Sequence, residues 1–97
     1  MATYVVLINW TDQGVKNAKE TVDRYEAARE AASRLGATWR DTYWTVGPYD
    51  IVSTIEAPDD ETLTATLLAV AGQGNIRTTT LRAFSPEEMR GIIQRAG

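Results

Sequence analysis

Between Ala37 and Ala57 the chain runs ATWRDTYWTVGPYDIVSTIEA, and how this segment folds decides the architecture of the whole. From Ala37 to Val46 it is rich in Thr, Trp, Tyr and Val without helical spacing, the composition of a strand. From Tyr49 to Ala57, alternation puts Ile51, Ser53 and Ile55 on one face of a second strand and Val52 and Thr54 on the other. Gly47-Pro48 stands between them. Proline presets its own φ and glycine is permissive before it, so the pair predicts a tight connection and the segment a β-hairpin.

Both flanks of the hairpin read as helices. On the N-terminal side apolar residues recur at Val15, Ala18, Val22, Tyr25, Ala28, Ala32 and Leu35, while Lys16, Lys19, Glu20, Asp23, Arg24, Arg29, Glu30 and Arg34 fall on the other face. Thr11 or Asp12 can cap this helix and Gly36 can end it, with Thr21 an alternative break into a short turn and a main helix. On the C-terminal side Ala57-Pro58-Asp59-Asp60 precedes Leu63, Leu67, Val70 and Ala71, and Gly72 with Gly74 closes that helix.

Further out lie two more strands and a last helix. Thr3 to Asn9 is apolar on both faces, as a central strand requires. Asn75 to Phe84 contains the run Thr78 to Thr80, whose β-branched side chains disfavour helix. Ser85-Pro86-Glu87-Glu88 is a capping box with proline at the first helical position, followed by Met89, Ile92, Ile93 and Ala96.

The order is therefore α+β: a ferredoxin-like βαββαβ unit with a C-terminal helix, four antiparallel strands carrying two helices on one face. Two helices cover only that face, and Trp39, Tyr43 and Trp44 add aromatic surface to the sheet. The open face therefore calls for a cover. A second copy packed sheet to sheet, in a homodimer or higher oligomer resembling a dimeric α/β barrel, supplies one; the C-terminal helix folding back within the chain is the alternative.

Composition bounds the function. Ninety-seven residues make a single domain, 1–97, and the longest apolar runs, Tyr4 to Ile8 and Leu67 to Ala71, are too short to span a bilayer. With no histidine and no cysteine there is no imidazole base, thiol nucleophile, disulfide or ordinary zinc ligand set. Ten basic against thirteen acidic residues give a net charge of -3, no field for phosphate backbones, so nucleic acid is not an expected partner. The N-terminus enters a strand without signal-peptide features, so the expected location is cytoplasmic.

At Tyr43-Trp44-Thr45-Val46-Gly47-Pro48-Tyr49-Asp50 the sequence resembles the GYD-domain family, small bacterial and archaeal proteins named for a Gly-x-Tyr-Asp motif that Gly47, Tyr49 and Asp50 fill here. Similarity continues in Asn9 to Gly14, Glu56 to Asp60 and Gly74 to Phe84, and so covers essentially the full chain. The resemblance implies a ferredoxin-like or dimeric α/β-barrel-like fold. It implies no activity and carries over no catalytic residues.

Several side chains are candidates for chemistry, each with a plainer role beside it. Asp50 among aromatic residues could serve as a general base, with Tyr49 as hydrogen-bond donor; equally, Asp50 could accept backbone N–H groups and fix the Gly47-Pro48 turn. Trp10, Trp39, Tyr43 and Trp44 could form a wall for a flat organic ligand, or a subunit contact. Among charged residues within strands, Arg40, Asp41, Arg77 and Arg82, an arginine could clamp a carboxylate or form intersubunit ion pairs. Gly72-Gln73-Gly74-Asn75 precedes a strand, so it reads as a turn, and Asp59-Asp60-Glu61 reads as helix capping; no metal and no cofactor is expected.

Taken together, the residues describe an oligomeric, non-enzymatic domain that binds a small organic ligand or assembles as a scaffold, with Trp10, Tyr43, Tyr49, Asp50 and Arg77 as the binding set. The alternatives are purely structural assembly and a cofactor-independent enzyme of the dimeric α/β-barrel type, in which Asp50 and Tyr49 perform the proton transfer.

Overall fold

The computed structural model describes Met1–Gly97. Strand β1 (Ala2–Trp10) lies inside the sheet, paired antiparallel on one side with β3 (Ile51–Ala57) and on the other with β4 (Ile76–Ala83). Strand β2 (Thr38–Trp44) pairs antiparallel with β3, so the hairpin forms and the sheet order is β2-β3-β1-β4. Helices α2 (Thr21–Leu35) and α3 (Asp60–Ala71) pack against the sheet, a short helix α1 (Asp12–Lys16) and a 3₁₀ turn (Ala18–Glu20) precede α2, and α4 (Pro86–Ala96) follows β4. This is the expected ferredoxin-like α+β order. No helix is long and apolar enough to cross a membrane.

The first helical segment breaks at the alternative point, Thr21. Thr11 caps α1 by accepting the Gly14 N–H at 3.1 Å, and a Cβ at Gly14 would collide with the Asn75 carbonyl oxygen. Only a glycine lets α1 lie this close to the entry of β4. Because the chain re-enters helix after the 3₁₀ turn, the apolar phase does not carry through: Val15 and Val22 are half exposed. The packed stripe of α2 is Tyr25, Ala28 and Ala32, whose small alanines let the helix approach the sheet.

The connection expected to be tight is wider than that. Thr45 to Asp50 form a six-residue loop in which Gly47 has φ +130, and β3 begins only at Ile51, so Tyr49 and Asp50 are loop residues. Thr45 closes the loop, donating its N–H to the Asp50 carbonyl (2.8 Å) and its hydroxyl to that of Tyr49 (2.5 Å). A register shift in β2 lets Trp39 and Thr42, three residues apart, both face the helices, opposite Ile55 and Ser53.

The core lies between the helices and the inner sheet face, where Tyr4, Val6 and Ile8 of β1 meet Ile51 and Ile55 of β3, Trp39 of β2 and Leu63 of α3. Asp59 caps α3 by accepting the Thr62 N–H at 2.7 Å, and the Tyr4 hydroxyl donates to the Asp60 carboxylate. The outer face of β1, Val5 and Leu7, meets no helix. The C-terminal helix does not fold back to cover it: every residue from Ser85 to Gly97 is exposed, and the chain measures 51 by 31 by 17 Å.

Three ionisable groups respond to these local bonds. Asp59 is held below its ordinary pKa by the Thr62 hydroxyl and N–H, and Glu88 below its own by the Ser85 N–H it accepts. The bond to Asp60, reinforced by burial, raises the Tyr4 phenol above its ordinary value of 10.0. The cap contributions are therefore present above the unfolded carboxylate values and lost as pH falls through the depressed folded ones; the Tyr4 contribution is full below pH 10.0 and lost as pH rises through the raised folded value. Melting temperature should fall on both limbs. Asp59→Asn with Glu88→Gln should flatten the acid limb, and Tyr4→Phe the alkaline one; limbs unchanged in those variants would contradict these assignments.

Candidate functional site

On the helix side a half-closed chamber of about 70 Å³ opens between α2 and the ends of β1 and β4. Trp10, Tyr25, Trp39 and Ile76 form its apolar wall. Its polar groups are mostly committed to one another: the Trp39 indole N–H donates to the Thr42 hydroxyl (3.2 Å), which meets the buried Ser53 hydroxyl at 2.9 Å. Arg24 closes one end by donating to the carbonyls of Asn17 (2.6 Å) and Gly14 (3.2 Å). The Trp10 indole N–H is the one buried side-chain donor without a partner. At about 70 Å³ the chamber is a fraction of the roughly 300–1,000 Å³ of typical metabolite sites.

Of the candidate binding residues only Trp10 lines this chamber. Asp50 stands beside it, its carboxylate accepting the Trp10 backbone N–H at 2.9 Å, while its own N–H donates to the Ile8 carbonyl at 2.9 Å. The acid thus ties the loop to the end of β1. Tyr49, half-buried in the same loop, offers its carbonyl to Thr45. Tyr43 and Arg77 occupy the outer sheet face instead, opposite Val52 and Asn9, on the two edge strands. Three strand spacings, about 14 Å, separate those edges, so the set is distributed over two faces and a loop.

The outer face is the open surface of the sheet. Val5 and Leu7 of β1, Val52 of β3 and Leu81 of β4 form its apolar centre, with Tyr43 66% exposed at one edge and an Arg40–Glu56 ion pair beside it. Beyond β4, α4 presents Met89, Ile92 and Ile93, each more than a third exposed. Sequence reasoning did not single out the Thr42–Ser53 pair; the available signal was Ser53 itself, a hydroxyl at an inward position between Ile51 and Ile55.

A four-stranded antiparallel sheet with its helices packed on one face and an open opposite face, apolar at its centre, defines the class, a ferredoxin-like α+β domain with a bare sheet surface. The chain belongs to the GYD domain family, whose model matches residues 4–93. A protein of Thermus thermophilus named glutamine synthetase and cystathionine beta-lyase binding protein is 32% identical over 85 residues, which span 87% of this chain and 90% of that protein. The crystal structure of TTHA0845 from the same organism superposes with a TM-score of 0.57 at 29% identity, covering 88% of this chain and 95% of the other.

The tie between Asp50 and β1 has a measurable consequence. Asp50→Ala leaves the Trp10 N–H without its acceptor and should cost about 1–3 kcal/mol in urea unfolding, while Asp50→Asn, which keeps a carbonyl oxygen there, should cost less. Equal stability of all three proteins would show that the bond is not formed.

Proposed function

We propose that this chain is a non-enzymatic, homodimeric protein-binding module of the cytoplasm, in which two open sheet faces pack together in the manner of a dimeric α/β barrel. The observation that carries this is the uncovered outer face, where Val5, Leu7, Val52 and Leu81 lie together with no helix over them. Apolar surface of this kind is stabilised by association with a matching surface. A relative named for binding two enzymes supports a folded protein as the further partner. The chemistry of the candidate residues points the same way: Asp50 is engaged by backbone groups and Tyr43 and Arg77 face the open sheet surface, a placement that suits loop fixing and contact better than proton transfer.

One observation favours a second role as a small-ligand binder. The unpartnered Trp10 N–H beside the chamber would suit a compact molecule with a hydrogen-bond acceptor.

Light scattering on the purified chain at micromolar concentration should give twice the 10.7 kDa monomer mass, and Leu7→Glu should return the monomer with an unchanged far-ultraviolet spectrum. Titration against purified glutamine synthetase and cystathionine β-lyase from this chain's own source organism tests the protein partner. A monomeric wild-type chain would sink the dimer, and silence toward both enzymes would remove the support drawn from the relative.

A further inference from the structure

We infer that α4 is an exchanged arm: in the homodimer, the helix of each copy packs its Met89, Ile92 and Ile93 face against the margin of the other copy's open sheet. This rests on the homodimer proposed above and names what its C-terminal helix does there.

The helix is built to form but buries none of its residues in its own chain. Pro86 at the first turn and the reciprocal Ser85–Glu88 capping box, with bonds of 2.9 and 3.0 Å, define its start. Eleven residues are nonetheless too few for a stable isolated helix in water, so its apolar stripe needs a surface. Its own sheet does not supply one. The link from edge strand β4 is only Phe84 and Ser85, and the Arg82 guanidinium lies 4.5 Å from the Phe84 ring centre, a contact that ties the link to the end of its own strand.

The size of the sheet points to the second copy as the occupant. Four strands about 4.8 Å apart and some eight residues long give an outer face of roughly 500 Å², short of the roughly 800 Å² per partner of a standard stable interface. An eleven-residue helix is about 16 Å long and about 10 Å wide, so its own face adds roughly 160 Å² and brings each protomer to about 660 Å², inside the roughly 600–1,000 Å² per partner that standard interfaces span. Sheet twist provides the place. Adjacent strands turn by some 20° against one another, so stacked sheets touch at the centre and part at their corners, where a helix can enter. Charge does not favour a different occupant: Glu87 and Glu88 on α4 are matched by Arg90 and Arg95, leaving no basic face for an anionic membrane.

The absence of native cysteine makes the test direct. Full-length Ile93→Cys chain is mixed, after unfolding and refolding together, with either Leu81→Cys or Tyr43→Cys chain, and treated with a short bismaleimide. A cross-linked heterodimer joining residue 93 to one of the two sheet positions is expected. Ile92→Glu with Ile93→Glu, at positions 36% and 58% exposed in their own chain, should leave the far-ultraviolet spectrum of the body intact while weakening the dimer about tenfold or more. A wild-type dimer that gives neither cross-link, and whose dissociation constant the double substitution leaves unchanged, overturns the arm while preserving the dimer. A wild-type monomer overturns both.

Discussion

A four-stranded sheet has two faces, and here two packed helices can cover only one of them; most of what is distinctive in this protein follows from that shortage. Strand β1, paired on both edges, carries Tyr4, Val6 and Ile8 into the helix-side core and Val5 and Leu7 toward a side where no helix lies. Burial on the inner face stabilises the monomeric unit. The outer face leaves the apolar area of Val5, Leu7, Val52 and Leu81 without a helix over it.

Around the far end of β1 the structure spends its polar groups on holding the chain in place. Asp50 bonds the Trp10 N–H, Thr45 bonds Asp50 and Tyr49, and the Thr11 N–H reaches the Asn75 carbonyl, so the first loop, the Gly-x-Tyr-Asp loop and the entry to β4 meet at one corner. In this light the family motif is a joint: Gly47 supplies a positive φ and Asp50 anchors the loop to the neighbouring strand. The chamber beside it lies where Trp10, Tyr25 and Trp39 meet under α2, and most of its hydroxyl and indole groups answer one another.

Much of the fold was legible from local chemistry. The aspartate cap of α3, the capping box and proline of α4, the alternation of β3 and the two-sided apolar character of β1 are short-range signals that the structure repeats. Other features depend on long-range contact. The width of the loop after β2 reflects Asp50 reaching across to β1 rather than any local preference of Gly47-Pro48, and the bulge at Arg40 and Asp41 exists to send both Trp39 and Thr42 inward. The candidate site was less legible still. Trp10, Tyr43, Tyr49, Asp50 and Arg77 share a chemical character, but strand order puts Tyr43 and Arg77 on opposite edges and Trp10 on the other face.

By itself the sequence determined the elements, their order, the family and the excess of apolar surface over available helices, because periodicity, caps and composition act within a few residues or by simple count. Tertiary structure alone decided which aromatic side chains share a face, that Asp50 is bound by backbone groups, and that α4 stands clear of its own sheet. Those outcomes depend on register and strand order, which are set by pairing between segments distant in sequence, and no local pattern encodes which edge a strand will occupy.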